Sequence, residues 1–348
     1  MDDDRQASKP TSDRAATDPP APERRAFLAG ATISISALLA NSLSGCSQQA
    51  TSPNDALRAE MNALGRIDPR WATFRETSRI PTGLARPTGL CAYGGKSLWV
   101  VGDMQLVELS AAGPAHVHSL PSAPTCIAAG SDGLLYIGLT DRAGIFHPDG
   151  SAVSIWNPAS PQAHITAIDA GAGEVWLADW GAKTAQGYDY KGRLLTTIGA
   201  RDEAHGYPGI IAPSPHFDVA LGPGGHVYVT NPGLHRVETH TRAGEFVGAW
   251  GKPASDLTSF CGCCNPTDIA LLPNGGFVTS EKGIPRVKIY NAAGRFIEVV
   301  AGPDRLPSNA MGQDLAVLGD GRIAVLDPIA KAVRVFTRFA SPPKEIRA

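Results

Sequence analysis

The feature that most constrains this 348-residue chain is a pattern of short strands that recurs six times along most of its length. Each copy opens with an apolar strand that leads into a glycine-containing turn. When one residue of each opening strand is taken as equivalent, the copies are spaced by 37, 41, 51, 50 and 46 residues. The equivalent residues are Gly89, Cys126, Ala167, Asp218, Asp268 and Asp314.

Glycines recur at two places in the repeat, where tight turns between strands need a positive φ. The first series follows the opening strand: Gly95, Gly133, Gly173, Gly225, Gly275 and Gly321. The second lies between later strands: Gly113, Gly150, Gly192, Gly244 and Gly294. Four short strands in a repeat of roughly 40–50 residues are typical of a propeller blade. The sequence therefore predicts an all-β, six-bladed β-propeller.

The last repeat lacks its fourth strand, because no glycine turn follows Val333–Phe336 before the Pro-rich end of the chain. An alternating stretch at Trp71–Ile80, upstream of the first blade, is otherwise unassigned. We expect it to supply the missing outer strand and to leave no open edge where the ring closes.

The fourth and fifth repeats carry a family resemblance. Tyr228–Val237 reads YVTNPGLHRV and is followed by AGEFVGAWG at 243–251, and the fifth repeat has IPRVKIY at 284–290. These segments resemble NHL repeats, and the resemblance extends over about Pro87–Phe336. It implies an NHL-type propeller. It does not imply one activity, because such propellers serve as binding platforms, lyases and signalling modules.

The N-terminal region is typical of an export signal. Residues 1–23 are polar, and the pair Arg24-Arg25 precedes a weakly apolar run that ends at Cys46. The pair resembles a twin-arginine signal and the segment before Cys46 resembles a bacterial lipobox, which implies lipidation of Cys46. We expect a lipid-anchored protein of the bacterial cell envelope, periplasmic or on the outer surface.

These patterns predict four segments. Residues 1–45 would be a disordered n-region with a signal peptide, 46–70 a linker with a short helix around 54–64, 71–340 the propeller and 341–348 a tail. The net charge of −2 gives no reason to expect binding to nucleic acid or to acidic lipids. We expect contact with the membrane through the lipid anchor.

Three cysteines, Cys261, Cys263 and Cys264, fall within four residues on the loop that leads into the innermost strand of blade five. The repeat register places Met311 and His216 on the same rim of the channel, with Cys126 and His164 further round. We predict a site at this rim formed by Cys261, Cys263, Cys264, Met311 and His216.

Three interpretations of the cysteines remain open. In an exported protein they could form structural disulfides. With Met311 and His216 they could bind copper, or zinc if Cys and His predominate. Adjacent Cys263 and Cys264 could instead form a strained, easily reduced disulfide.

The recurring Asp218, Asp268 and Asp314 also allow two interpretations. A ring of carboxylates could bind calcium in the channel, as in lactonase-type propellers. Alternatively, each could accept hydrogen bonds from backbone N–H groups of the next turn or blade, and we favour this because a repeated residue usually serves the repeat.

Function is predicted from the rim. Long loops on a rigid scaffold are where binding residues concentrate, and two long inserts, 201–216 and 252–264, flank blade four. We therefore expect a binding module for a protein or small-molecule partner. The alternatives are a metal or redox protein using the three cysteines, or a metal-dependent propeller enzyme of lyase or lactonase type. We favour a protein without catalytic activity and predict no catalytic residues.

Overall fold

A computed structural model describes residues 63–157, 160–171, 173–204, 206–309 and 311–341. Their twenty-four strands form six four-stranded antiparallel sheets, so the predicted six-bladed β-propeller is confirmed. The predicted segments around Arg24, Arg25 and Cys46, and most of the predicted linker helix, lie outside the described residues. Of the linker residues that the structure describes, 63–70, Ala63 and Leu64 are helical.

The first three blades are formed by consecutive strands. Blade one contains β2 (Pro87–Tyr93), β3 (Ser97–Gly102), β4 (Gln105–Ser110) and β5 (Gly113–Ser119). Blade two contains β6 (Cys126–Ala129), β7 (Leu135–Leu139), β8 (Arg142–Phe146) and β9 (Ala152–Ile155). Blade three contains β10 (Ile165–Gly171), β11 (Glu174–Asp179), β12 (Thr184–Asp189) and β13 (Leu194–Ile198).

The remaining blades follow the same order until the ring closes. Blade four contains β14 (Val219–Leu221), β15 (His226–Asn231), β16 (Arg236–Thr241) and β17 (Phe246–Trp250), with 3-10 turns at Pro223–Gly225 and Pro232–Leu234. Blade five contains β18 (Asp268–Leu271), β19 (Phe277–Glu281), β20 (Arg286–Tyr290) and β21 (Phe296–Ala301). Blade six contains β22 (Leu315–Val317), β23 (Ile323–Asp327), β24 (Ala332–Arg338) and, from the start of the described region, β1 (Phe74–Pro81).

Blade six is completed as the sequence predicts. Strand β1 pairs antiparallel with β24, and the register runs from Phe74 opposite Arg338 to Pro81 opposite Ala332. A partly buried ion pair reinforces this joint, because the guanidinium of Arg334 lies 2.6 Å from the carboxylate of Glu76. The N-terminal strand therefore joins the first and last parts of the ring.

The apolar core lies between blades. Each hydrophobic cluster combines residues of two neighbouring sheets, as where Ile80 and Val333 of blade six pack with Leu90 and Val100 of blade one. Buried side chains of this size contribute about 1.5–3 kcal/mol each. This packing holds the innermost strands around a central channel of about 550 Å³.

Both predicted series of turn glycines have positive φ. Gly133 and Gly275, in the first series, have φ of 80° and 79°, and Gly150 and Gly294, in the second, have 81° and 72°. The repeat register is also supported by close packing, since a Cβ added at Gly89 would lie 2.8 Å from the Cα of Cys126. No helix in the described part of the chain is long and apolar enough to span a membrane.

Candidate functional site at the channel mouth

The predicted site residues lie around one end of the channel, which we call the mouth. It is formed where the chain enters each innermost strand and where each second strand ends. His216 and Met311 contribute to the channel wall, together with Cys126 and His164. The three clustered cysteines are not part of that wall, so the structure places the predicted residues at one end without merging them into a single cavity.

The cysteine loop, residues 252–264, is fixed to blade five by the residues that follow it. The buried Asn265 side chain donates to the carbonyl of Lys282 over 3.0 Å and accepts from the N–H of Lys282 over 2.9 Å. Asn265 also donates to the carbonyl of Cys261, and the hydroxyl of Thr267 donates to the carbonyl of Ser280 over 3.1 Å. The cysteines therefore follow a backbone that is anchored at the end of β19.

A buried ion network supports the same loop from below. The carboxylate of Glu281 lies 2.5 Å from both the Arg286 guanidinium and the Lys288 ammonium. Lys288 also donates to the carbonyl of Ser259 over 2.7 Å, and the N–H of Cys261 donates to Glu281 over 3.2 Å. Burial lowers the pKa of Lys288 to about 8, although the charge of Glu281 opposes this shift.

Arg286, which takes part in this network, is buried. Its side chain is 1% exposed and is held by Glu281. The sequence places Arg286 near a turn, where charged side chains usually face solvent, but its position on β20 directs it under the cysteine loop. The carboxylate of Glu281, on the neighbouring strand, compensates the charge that Arg286 places in the interior.

The second long insert, residues 201–216, is fixed by a similar network in blade four. Tyr207 of this insert donates its hydroxyl to the buried carboxylate of Glu238 over 2.6 Å. Asn231 and Arg236 donate to the other oxygen over 2.7 Å each. Burial would raise the pKa of Glu238, but hydrogen bonds from His240, Tyr207, Arg236 and Asn231 lower it overall.

The thiols of Cys263 and Cys264 are neighbours in space as well as in sequence. Their sulfur atoms are 3.1 Å apart, with Cys263 exposed and Cys264 only 1% exposed. Burial and the hydrogen bond with Cys263 raise the pKa of Cys264, whereas Lys282 and the hydroxyl of Ser214 act in the opposite direction. The five cysteines of the described region carry free thiols, so the structure does not support the structural-disulfide interpretation for them.

His216 links the cysteine side of the mouth to the channel. Its ring lies against Gly312, where an added Cβ would be 3.1 Å from Cε1. Burial, with a smaller contribution from the positive charge of Lys282, lowers the pKa of His216 to about 4. The imidazole is therefore neutral at physiological pH. Met311, next to Gly312, is 61% exposed at the opening.

Cys126 and the neighbouring Cys91 lie deeper in the wall and are buried. Burial raises the pKa of both thiols well above the usual range, which keeps them protonated. They are therefore unreactive compared with the exposed Cys263.

Four further residues lie at the mouth but are not among the predicted site residues: Trp180, Lys183, Ser214 and Lys282. Trp180 donates its indole N–H to the carbonyl of Ala212 over 2.9 Å. The Lys183 ammonium lies 3.7 Å from the centre of the Trp180 ring. Lys282 donates to the hydroxyl of Ser214 over 2.5 Å. One signal could have located Trp180 and Lys282, because the residue after each second strand returns to the rim where the next innermost strand begins.

The channel carboxylates join neighbouring blades. Asp169 accepts the N–H of Leu221 over 2.7 Å, Asp218 that of Ile269 over 2.6 Å and Asp314 that of Leu90 over 2.7 Å. This is the backbone-bonding arrangement that we favoured over a calcium site.

The carboxyl groups of Asp268 and Asp314 are also hydrogen-bonded to each other. Burial raises the pKa of Asp169 and of Asp314 to about 6 and that of Asp268 well above its usual range. The negative charges of Asp218 and Asp314 add to the effect of burial on Asp268.

Copper, zinc and calcium do not fit the arrangement of these groups. Within the residues that the structure describes, no three His, Cys, Asp or Glu side chains converge as a metal-ligand set. The thiol of Cys264 is hydrogen-bonded to Ser214, and the channel carboxylates accept backbone N–H groups. We derive no chemistry through a metal.

Neither a protein-family model nor a curated protein matches this sequence. Solved six-bladed propellers share the fold at low identity. A catalytically inactive virginiamycin B lyase from Staphylococcus aureus, determined with quinupristin, is 11% identical, with a TM-score of 0.53 over 76% of this chain and 100% of that one. Regucalcin, a calcium-binding protein from Agrobacterium tumefaciens, is 17% identical, with a TM-score of 0.53 over 78% and 98%. A protein of unknown function from Bacteroides thetaiotaomicron is 13% identical, with a TM-score of 0.56 over 76% and 72%.

Proposed function

We propose that this chain is a binding module of NHL type, exported and lipid-anchored in the bacterial cell envelope, which holds a small molecule at the mouth of its channel. The export and anchoring part of this proposal rests on Arg24, Arg25 and Cys46 in the sequence. The binding part rests on the geometry of the mouth.

The observation that carries the proposal is a pre-formed opening bordered by loops with their own buried supports. Glu281 holds the cysteine loop, and Glu238 holds the insert at 201–216. The channel below has a volume of about 550 Å³, within the range of roughly 300–1,000 Å³ typical of small-molecule sites. Rigid loops around a cavity reduce the entropy that ordering on binding would otherwise cost.

The groups at the mouth define the ligand class. Lys282 and Lys183 supply positive charge, the neutral ring of His216 supplies a donor and an acceptor, and Trp180 and Met311 supply apolar surface. The carboxyl groups further in are shielded from water and partly protonated. This combination favours a polar small molecule that is neutral or carries one negative charge.

The test is to identify what accompanies the protein in its native host. Purified protein is denatured, and the released small molecules are identified by mass spectrometry. We expect one compound near one equivalent, and at least a tenfold loss of it in a His216→Ala/Met311→Ala double variant. Val247→Ala, at an exposed apolar residue on the outer strand of blade four, is the matched control and should retain the compound.

Two results would contradict the proposal. One is wild-type protein that carries no compound and shows no thermal shift with a panel of polar metabolites. The other is a compound retained equally by the double variant. If cross-linking from the mouth captures one defined protein instead, the module binds a protein partner and the small-molecule assignment is wrong.

A further inference from the structure

Cys263 and Cys264 differ from the other cysteines because their sulfur atoms are in contact and only one of the two side chains is exposed to solvent. The two sulfur atoms are 3.1 Å apart. A disulfide bond is about 2.05 Å long, so an approach of roughly 1 Å would close it. Cys263 is exposed and Cys264 is buried, so an external reagent can reach only Cys263.

A positive charge stands behind the buried thiol. The hydroxyl of Ser214 is hydrogen-bonded to the sulfur of Cys264 and accepts a hydrogen bond from the Lys282 ammonium over 2.5 Å. A thiolate formed at Cys264 would therefore face a donor that is itself polarised by a cation. These two groups favour the thiolate and so oppose the rise in the pKa of Cys264 that its burial causes.

The third cysteine of the loop is held differently. The N–H of Cys261 donates to the buried carboxylate of Glu281, and its carbonyl accepts from Asn265. Its backbone belongs to the support of the loop, whereas the sulfur-to-sulfur contact involves Cys263 and Cys264 alone among the three.

We propose that Cys263 and Cys264 form a thiol–disulfide exchange site, with Cys263 as the attacking cysteine, Cys264 as the resolving cysteine, and Lys282 and Ser214 as positioning residues. The co-substrate is a disulfide, R–S–S–R. The Cys263 thiolate attacks one sulfur of that disulfide, which forms a mixed disulfide and releases one thiolate.

The Cys264 thiolate then attacks the sulfur of Cys263, which forms the vicinal bond and releases the second thiolate. The protein loses two electrons and two protons, and the reduced co-substrate leaves as two thiols. The reverse sequence reduces the protein. The inference does not depend on a ligand in the channel.

The experiment uses the full chain equilibrated with glutathione buffers from fully reduced to fully oxidised. Thiols are trapped by alkylation and the products are resolved by mass spectrometry. We expect one transition in which the protein loses two hydrogens, and bound glutathione below one tenth of the protein at every step. Cys261→Ser should preserve this transition.

Single variants separate the two roles. Cys264→Ser should accumulate the mixed disulfide with glutathione at Cys263, to at least half of the protein. Cys263→Ser should show neither the two-hydrogen loss nor that adduct. Cys264→Ala provides a second variant in case serine perturbs the buried position, and near-ultraviolet circular dichroism checks folding in each.

The positioning residues are tested by rate. Lys282→Met should slow resolution of the mixed disulfide about tenfold, with a smaller effect of Ser214→Ala, whereas Lys191→Met, at an exposed lysine of blade three, should leave the rate unchanged. Loss of the two-hydrogen transition in Cys261→Ser would overturn the pairing. A wild-type protein that stays fully reduced, or accumulates only the mixed disulfide, would overturn the exchange site.

Discussion

The channel carboxylates and the cysteine loop lie at the same end of the innermost strands but differ in how they are used. Asp218, Asp268 and Asp314 recur from blade to blade, and Asp218 and Asp314 accept an N–H of the next blade. Cys263 and Cys264 occur in one blade only, and their thiols contact each other and the Ser214–Lys282 pair. In this ring, a residue that repeats serves the scaffold, and chemistry is to be sought in residues that do not repeat.

The two regions also handle burial differently. Burial raises the pKa of the channel carboxyl groups, so they hold their protons to higher pH than exposed carboxyl groups do. The cysteine loop instead rests on charges that remain and are paired, those of Glu281, Arg286 and Lys288. The comparison therefore predicts different responses to mutation and to pH.

The largest effect is expected from breaking the support of the cysteine loop. Glu281→Ala leaves Arg286 and Lys288 buried without their carboxylate, and removing one partner of a buried ion pair costs about 3–5 kcal/mol. Denaturant unfolding should show this loss, and hydrogen exchange should show faster opening at 252–264. Glu203→Ala removes an exposed carboxylate that is paired with Arg201, and it should change stability by less than about 1 kcal/mol. Equal losses in the two variants would contradict the assigned role of the network.

A smaller effect on the free energy of unfolding is expected from the channel carboxyl groups. It changes with pH in the direction opposite to that of a carboxylate in an ion pair. The folded-state pKa of Asp314 is raised from 3.8 to about 6, so the folded protein binds this proton more tightly than the unfolded chain. Its contribution to stability is present below pH 4 and is lost as pH rises through 6. The side chain of Asn has no such proton to lose. As the pH rises from 4 to 8, the free energy of unfolding of Asp314→Asn should therefore increase by about 2–3 kcal/mol relative to that of the wild type.

This prediction is checked by urea unfolding at several pH values. Asp320→Asn, at an exposed turn of the same blade, is the control and should not reproduce the gain. A difference between wild type and Asp314→Asn that stays constant with pH would show that Asp314 is ionised throughout this range.

The smallest effect on stability is expected at the thiol that we propose to be reactive. Cys263 is exposed, and substitutions at such positions usually change the free energy of unfolding by less than about 0.5 kcal/mol. Cys263→Ser should therefore unfold at the wild-type urea concentration under reducing conditions. Cys126→Ser should be destabilised, since it places a hydroxyl in the buried wall. If Cys263→Ser lowered the free energy of unfolding as much as Cys126→Ser, Cys263 would have a structural role.

The architecture could be predicted from sequence because it depends on repetition. The six first strands, the turn glycines and the closing role of Trp71–Ile80 all follow from comparing one blade with the next. His216 and Met311, which this register brings together, both line the channel.

The site itself could be predicted only in part, because its decisive contacts join segments that share no pattern. The pairing of Lys282 with Ser214 depends on the path of an insert with no counterpart in other blades. The burial of Arg286 depends on Glu281 and on the loop that covers both. Register indicates which residues reach a rim but does not specify the partners that an irregular loop supplies there.

The joint between β1 and β24 has a consequence for the order in which the protein is made. About 250 residues separate the two strands, and ribosomes add roughly 5–20 residues per second, so β1 waits roughly 12–50 seconds for its partner. During synthesis it is a lone strand that could pair with a neighbouring chain. Its charged residues, Arg75, Glu76 and Arg79, are of the kind that discourages such pairing. The strand that closes the ring thus carries protection for the interval in which the ring is still open.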